Sequence, residues 1–323
     1  MALAVRGGFM LTFIFVDYKS AEATIRCISH YIEKCKKSRE QISFVVVDNS
    51  VDDENFAKLS AVGDAVSSQV YDGSKLEEKR FDGHRLFLWR SLDNGGYAKG
   101  NNAGAKIAAE FLNCDYLLFT NNDLVVLDEE LALDAMIEEA SLPHVGAVGP
   151  SIVAKNSKPQ NPYFEKSFFM RWGLEYLCYP FSRFLPKKWG SSDLLENFVS
   201  NPVFRVMGSF FLVPRVVFEK VGCFDTETFL FAEEMILSKK LQKAGFEVHY
   251  LPTVHLLHNH SEIINKKYDK LNRLSLLFKS ECYYYKKYGG VGSVQMALVK
   301  FIFKSFILRK QFVKKLKNKI KGE

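Results

Sequence analysis

The chain has 323 residues, 47% of them hydrophobic and 25% charged, and a net charge of +7 at pH 7. This is the composition of a globular chain with material for a large core, and it excludes a disordered polymer, a collagen-like fibre and a disulfide scaffold. The charge is uneven: residues 294–323 hold nine Lys/Arg against one acid, a balance of +8 that leaves −1 for the remainder, so the body offers no field for nucleic acid and no nucleic-acid partner is expected.

Met1–Ser20 joins an Arg to an apolar run, as a leader would, but no small-residue cleavage site follows it. Phe9–Val16 is therefore read as a first buried strand. Ala21–Lys36 has helical spacing, and Phe44–Val47 is a second apolar run that ends at Asp48-Asn49-Ser50. Leu86–Trp89 is a third, followed by the Gly-rich stretch Asn94–Gly104 and an Ala-rich helix over Ala103–Leu112. Tyr116–Phe119 is a fourth, ending at Thr120-Asn121-Asn122-Asp123. This alternation predicts an open α/β sheet, in which ligands sit at the carboxyl ends of strands. Asp48 and Asp123 stand at two such ends.

Residues 155–202 lose the periodicity and hold five prolines and eleven aromatics. They read either as a packed insertion or as a half-wet surface for an acceptor or a lipid. Met207–Val213 is a further strand signal. Glu233–Ala244 is a helix stopped by Gly245, and Val248–Leu251 is a short strand before Pro252. The cysteines, at 27, 35, 114, 178, 223 and 282, show no CxxC or Cys/His zinc spacing and suit buried, reduced thiols. No apolar stretch reaches the roughly 18 residues of a spanning helix.

Several side chains have the chemistry of a site. A carboxylate at a strand end, as at Asp123, can ligate a hard divalent cation, or can simply make the turn. His255, His258 and His260 follow a strand signal, and imidazole suits Mn²⁺, but the pattern does not single one out. Glu233 and Glu234 open a helix, where the dipole favours acids without any catalytic role. Neighbours on a helix point about 100° apart, so at most one of them faces a common cleft, where a desolvated carboxylate can act as a base. Asn94–Gly104 lacks both the P-loop ending and the dinucleotide glycine spacing, yet its glycines suit close approach to a polar ligand.

Taken in order, FIFVDYKS, VVVDNS, NGGYAKGNNAG, LLFTNNDL, GSFFLVPRVVFEKVGCFD, FLFAEEMILSKKLQKAGF and YLPTVHLLHNHS resemble family-2 glycosyltransferases of the GT-A fold, in their rhamnosyltransferase-like bacterial branch. The resemblance runs from about Phe9 to Ser261. It implies an α/β GT-A domain over 1–265, with 155–202 as an insertion that faces acceptor or membrane, and a helical extension over 266–323. It implies an inverting, metal-dependent transfer from a nucleotide-diphosphate sugar, dTDP-rhamnose or a UDP-sugar, to a lipid-linked or polysaccharide acceptor in O-antigen or capsule synthesis. Asp17, Asp48, Asn94, Gly96, Gly100, Asn101, Asn121 and Asn122 would line the donor pocket, and Asp123 and His258 would hold Mg²⁺ or Mn²⁺. Glu234, beside Glu233, would be the base. Two positions depart from the family pattern: Asn121 replaces the first acid of the metal motif, and Ile236 stands where an acid is usual. A catalytically silent sugar-nucleotide-binding scaffold at the membrane and a nucleotidyltransferase are the alternative readings.

At about 100° per residue, Leu298, Ile302, Phe306, Val313, Leu316 and Ile320 fall on one side of the tail, and Lys300, Lys304, Lys314 and Lys315 on the other. A basic amphipathic helix of this kind is expected on an anionic membrane surface, here the inner face of the cytoplasmic membrane. A helix docked on the domain with a solvated Lys face is the alternative.

Overall fold

The computed structural model describes residues 9–35, 40–177, 201–259 and 270–321. The chain divides into two compact units, Met1–Phe164 with Leu194–Ser261 and Glu165–Asp193 with Glu262–Glu323.

The elements of the first unit begin with β1 (Leu11–Asp17), α1 (Ala21–Lys34), β2 (Ile42–Asp48), α2 (Asp53–Ser60), β3 (Asp64–Tyr71), β4 (Ser74–Phe81) and β5 (His84–Arg90). They continue with α3 (Gly96–Leu112), β6 (Tyr116–Thr120), β7 (Leu124–Val126), α4 (Leu133–Ala140) and β8 (Val145–Ala154). After a short helix of the second unit, α5 (Glu175–Leu177), come β9 (Phe210–Pro214), α6 (Arg215–Lys220), α7 (Glu233–Lys243) and β10 (Glu247–His258). The ten strands of the described residues form one sheet in the order β3-β4-β5-β2-β1-β6-β9-β8-β10-β7. Its centre, β5, β2, β1 and β6, is parallel; β9 runs antiparallel to β6, and β8 and β10 are parallel to each other.

Strands β1 and β2 read as nearly unbroken apolar runs because the sheet is covered on both faces. Alternate residues go to opposite sides: Phe13, Phe15, Phe44 and Val46 join one core cluster, with Cys27, Ile28 and Tyr31 of α1. Ile14, Val45 and Val47 join the other, with Ala98, Ala105 and Ala108 of α3. Burial raises the Cys27 thiol to about 12, and the five described cysteines are free, as a reduced core thiol requires. Cys178 lies outside the described residues.

Two elements differ from the sequence expectation. The hairpin β3–β4 was not anticipated, because β3 is an almost wholly exposed, polar edge strand; its turn is Asp72-Gly73, both at positive φ (48° and 76°), the backbone that two-residue hairpins favour. The strand expected to stop at Leu251 runs on to His258. Pro252 is tolerated because the ladder slips between Leu251 and His255, where no backbone N–H is needed from it.

The second unit holds α8 (Lys270–Lys287), α9 (Ser293–Lys321) and a π-helical turn, Phe169–Leu174, leading into α5. Its core is aromatic. The Phe278 and Phe303 rings stack at 3.8 Å, Trp172 meets Phe303 edge-on at 5.4 Å, and Tyr176 meets Phe306 at 4.7 Å. Glu281 is 1% exposed. It accepts from Arg171 Nε (3.0 Å) and Nη2 (2.9 Å) and from Trp172 Nε1. Of the insertion's described aromatics, Phe168, Trp172 and Tyr176 are buried, whereas Phe164 is exposed; residues 178–200 lie outside the described residues. The tail also differs in phase. Met296, Val299, Ile302, Phe303 and Phe306 are buried, whereas Val294, Leu298, Phe301, Leu308, Phe312 and Val313 are exposed. The side chains of Leu316 and Ile320 lie outside the description. Among the described residues no helix is long and apolar enough to cross a membrane.

Candidate active site

The carboxyl ends of β1, β2 and β6 carry a continuous polar network. Asp17 is fully buried. Its Oδ1 accepts from Asn55 Nδ2 (2.7 Å), and its Oδ2 accepts from Ser20 Oγ (2.8 Å) and Thr24 Oγ1 (2.5 Å). Asn55 Nδ2 also donates to Asp48 Oδ1 (2.9 Å), and Asn122 Nδ2 donates to Ser20 Oγ (2.8 Å) and Thr24 Oγ1 (2.7 Å). Asp17, Asp48 and Asn122, scattered in sequence, therefore share partners. Burial pushes the Asp48 carboxyl up, with the nearby Asp17 adding to it. Among the described residues, the buried Asp48 Oδ2 and Asn49 Oδ1 have no hydrogen-bond partner, an uncommon state for buried polar atoms and one that a ligand donor would relieve. Beyond Asp48 lies a cleft of about 510 Å³ lined by Val51, Lys75, Arg90, Ser91 and Leu92, among others.

Helix α3 starts against this edge. Gly96 has φ +82°, and a Cβ there would stand 2.0 Å from Phe229 O, so only glycine fits. Asn49 Nδ2 donates to Gly96 O (3.0 Å), and Tyr97 N to Phe229 O (3.1 Å). At Gly100 a Cβ would come within 2.9 Å of Val16, so the helix start lies tight on the end of β1. Asn94 Oδ1 accepts from Gly96 N (3.3 Å). Asn101 is buried, and its side chain donates to Tyr97 O one turn back (3.0 Å).

The acidic pair enters through a strained turn. Phe231 and Ala232 both have left-handed φ, 74° and 70°, immediately before α7, and such backbone persists only where the surroundings enforce it. The turn sets the two acids in unlike surroundings. Glu233 is 3% exposed; burial, and then the Glu234 carboxylate, hold its carboxyl well above the ordinary range. Glu234 is partly exposed and accepts from Arg205 Nη1 (3.1 Å), while the Arg205 guanidinium stacks on Tyr163 at 3.7 Å. Ile236 is fully buried in the core.

Asp123 and His258 meet. His258 Nε2 lies 3.2 Å from Asp123 Oδ2, and its Nδ1 lies 2.8 Å from Gln160 Oε1. Since an amide oxygen only accepts, Nδ1 carries a proton, and Nε2 is the ring atom left to face the carboxylate. A carboxylate oxygen and an imidazole nitrogen at this distance can share a proton or a cation. The backbone fixes the pair: β10 and β7 align His258 with Leu124, and Asn259 N donates to Asp123 O (2.8 Å). His255 pairs instead with Asp128 (3.1 Å), and His260 lies outside the described residues.

The two halves of the edge are joined. Asn121 N donates to Ser209 O (2.8 Å), and a Cβ at the adjoining Gly208 would stand 3.6 Å from Glu234 Oε2. Tyr97, whose hydroxyl donates to Gly208 O (2.5 Å), ties the α3 start to the same point. The structure thus brings Asp48, Gly96, Asn122, Asp123, Glu234 and His258 to one edge of the sheet. Asp17 and Asn101 lie there too, with their side chains engaged by the protein. Sequence reasoning missed Asn55, Gln160 and Arg205. Asn55, in the first turn of α2, had a local signal in the Asp52-Asp53-Glu54 helix start; Gln160 and Arg205 come from aperiodic segments and had none.

No protein-family model matches the chain. Over 131 residues it is 30% identical to the N-acetylglucosaminyl-diphospho-decaprenol L-rhamnosyltransferase of Mycobacterium tuberculosis, in two strains, which covers 40% of this chain and 42% of the relative. The match therefore spans less than half the length of these relatives. The mannosyltransferase PcManGT from Pyrobaculum calidifontis, solved with GDP-Man and Mn²⁺, is similar in structure with a TM-score of 0.57, at 14% identity over 93% of this chain and 73% of that one. GalNAc-T7, solved with UDP, GalNAc and Mn²⁺, gives a TM-score of 0.51, at 11% identity over 95% of this chain and 57% of that one. At these identities the structural likeness speaks for the fold. The chain therefore has the GT-A glycosyltransferase fold and resembles the rhamnosyltransferase-like branch of family 2.

Proposed function

We propose that the protein is an inverting glycosyltransferase that moves a sugar from a nucleotide-diphosphate donor to an acceptor hydroxyl. The observation that carries this reading is the placing of the Asp123–His258 pair and the Glu233–Glu234 pair on one edge of the sheet, beside the Gly96 loop. Glu234 is the base: it is partly open to solvent and held in place by Arg205, so it can take the acceptor proton. Glu233 is buried at the start of α7, where burial and then Glu234 favour its protonated form. Asp48 and the start of α3 take the nucleotide end, where the partnerless Asp48 Oδ2 can pair with a base or ribose donor.

Asp123 and His258 fit a divalent cation, Mg²⁺ or Mn²⁺. They offer one carboxylate oxygen and one imidazole nitrogen 3.2 Å apart, with the ring fixed from behind by Gln160. When bound, such an ion neutralises the charge of the leaving diphosphate. Asn121 in place of an acid leaves one less formal charge on this side. The Mn²⁺ complexes of PcManGT and GalNAc-T7 support the same requirement here.

The mycobacterial relatives are named for L-rhamnosyl transfer to a diphospho-decaprenol-linked sugar, which supports a rhamnose donor and a lipid-linked acceptor for surface polysaccharide synthesis. The exposed stripe Val294, Leu298, Phe301, Leu308, Phe312, flanked by Lys300, Lys304 and Arg309, suits the inner membrane surface where such acceptors reside. Flotation with anionic vesicles tests this: Phe301→Ser with Phe312→Ser should lose binding, and equal binding by both proteins sinks it.

A donor panel read by release of nucleoside diphosphate, with Asp123→Ala as control, tests the activity. Release of pyrophosphate instead would assign a nucleotidyltransferase, and donor binding without turnover would assign a silent scaffold.

A further inference from the structure

A second group of ligand-type side chains lies at the opposite edge of the sheet. His144 immediately precedes β8, and Glu247 and His249 open β10, whose far end carries His258. Along the paired strand β8 the register runs from Val148 opposite His249 to Ala154 opposite His258, a span of about 20 Å. His249 is 5% exposed. Its Nδ1 bonds Glu139 of α4, and its Nε2 lies 3.0 Å from Glu247 Oε2. His144 Nε2 approaches that same oxygen to 3.6 Å, and the two imidazole rings are 5.6 Å apart. The three ligand atoms, one from each residue, all lie within 4.8 Å of one another.

We propose that His144, Glu247 and His249 form a Zn²⁺ site, independent of the donor site, that clips the start of β8 to the start of β10. A tetrahedral ion with bonds of about 2.0–2.1 Å sets its ligand atoms roughly 3.4 Å apart, and the two distances to Glu247 Oε2 bracket that value. Glu139 fixes the proton on His249 Nδ1 and leaves the Nε2 lone pair facing the other two ligands, the carboxylate–histidine arrangement that orients metal-bound rings. Two imidazoles and one carboxylate favour Zn²⁺ over Mg²⁺. His144 is half exposed, so solvent can fill the fourth position.

The test uses the full chain carrying Asp123→Ala, so that the pair with His258 does not contribute. Zn²⁺ retained after dialysis and the visible spectrum of bound Co²⁺ are measured with and without His144→Ala. The parent should bind one equivalent with a four-coordinate Co²⁺ spectrum and melt at a higher temperature with Zn²⁺. His144→Ala, which removes a half-exposed ring, should lose that equivalent, and Glu139→Gln should weaken binding by about 10–100-fold. Zn²⁺ uptake that His144→Ala leaves unchanged, or no uptake by the parent, overturns the assignment and leaves a histidine–carboxylate ion-pair cluster. Neither result depends on sugar transfer, so failure here leaves the transferase reading standing.

Discussion

Exchanging each acid of the pair for its amide separates their roles. Glu234→Gln keeps the shape of the side chain and an oxygen to accept from Arg205 Nη1, which lies at 3.1 Å in the native protein. What it removes is the ability to take a proton. General-base assistance is worth about 10²–10⁴-fold, or roughly 2.7–5.4 kcal/mol of barrier, so kcat should fall by that factor while donor KM holds within about threefold. Glu233→Gln should behave differently. That carboxyl is buried, and burial and then the Glu234 charge both favour its protonated form. An amide is close to an isostere of the protonated acid, so kcat should fall less than about tenfold. Steady-state release of nucleoside diphosphate, with a melting curve for each variant, measures both. If Glu233→Gln abolishes turnover while Glu234→Gln retains it, the assignment is reversed; equal losses at unchanged stability would remove the case for a single base.

Gly96→Ala should cost at least about 2 kcal/mol in urea unfolding and weaken donor affinity, because φ is +82° and the new Cβ meets Phe229 O at 2.0 Å; a neutral result would show that the loop yields. Asp123→Ala should abolish the response of turnover to Mn²⁺ and lower it by about 10²-fold or more, and a retained Mn²⁺ response would place the ion elsewhere. Glu281→Ala should destabilise the second unit by about 3 kcal/mol, since it removes the buried carboxylate that accepts from Arg171 and Trp172; a loss below about 1 kcal/mol by denaturant titration would contradict this.

The central strands were legible because burial on both faces leaves one kind of residue in them. LTFIFVD and ISFVVVD read as strands without any partner in view. The β3–β4 hairpin was not legible, since an exposed edge imposes no apolar period; Asp72-Gly73 was its remaining mark, as Asp82-Gly83 was of the next turn, between β4 and β5. In α9 the period was seen but its phase was not. The helix has two apolar stripes, one buried around Val299 and Phe303 and one exposed around Phe301 and Phe312, and a helical wheel merges them. The acids were legible as candidates from type and position at element ends, whereas His258 was singled out from His255 and His260 only by the family resemblance. Their partners were not: Gln160 behind His258 and Arg205 beside Glu234 arrive from the aperiodic stretches flanking the insertion, and only the folded sheet edge brings them in.

The raised carboxyl of Glu233 also has a consequence for stability, with a definite sign. In the unfolded chain a Glu ionises near about 4.3; in the folded protein burial and Glu234 keep Glu233 protonated to well above that. Between those two values the folded state binds one more proton than the unfolded state, so stability falls as pH rises, by up to about 1.4 kcal/mol per unit from this group alone. The contribution is complete below the unfolded value and is lost as pH climbs toward the folded one. Glu233→Gln removes the term, because an amide titrates in neither state. Urea unfolding of both proteins at pH 5, 6 and 7 measures it together with its coupling to Glu234. The wild type should lose stability relative to Glu233→Gln as pH rises across that interval. A flat difference would mean that Glu233 is ionised in the folded protein; two adjacent carboxylates would then carry charge at the start of α7, and the choice of Glu234 as the base would lose its physical ground.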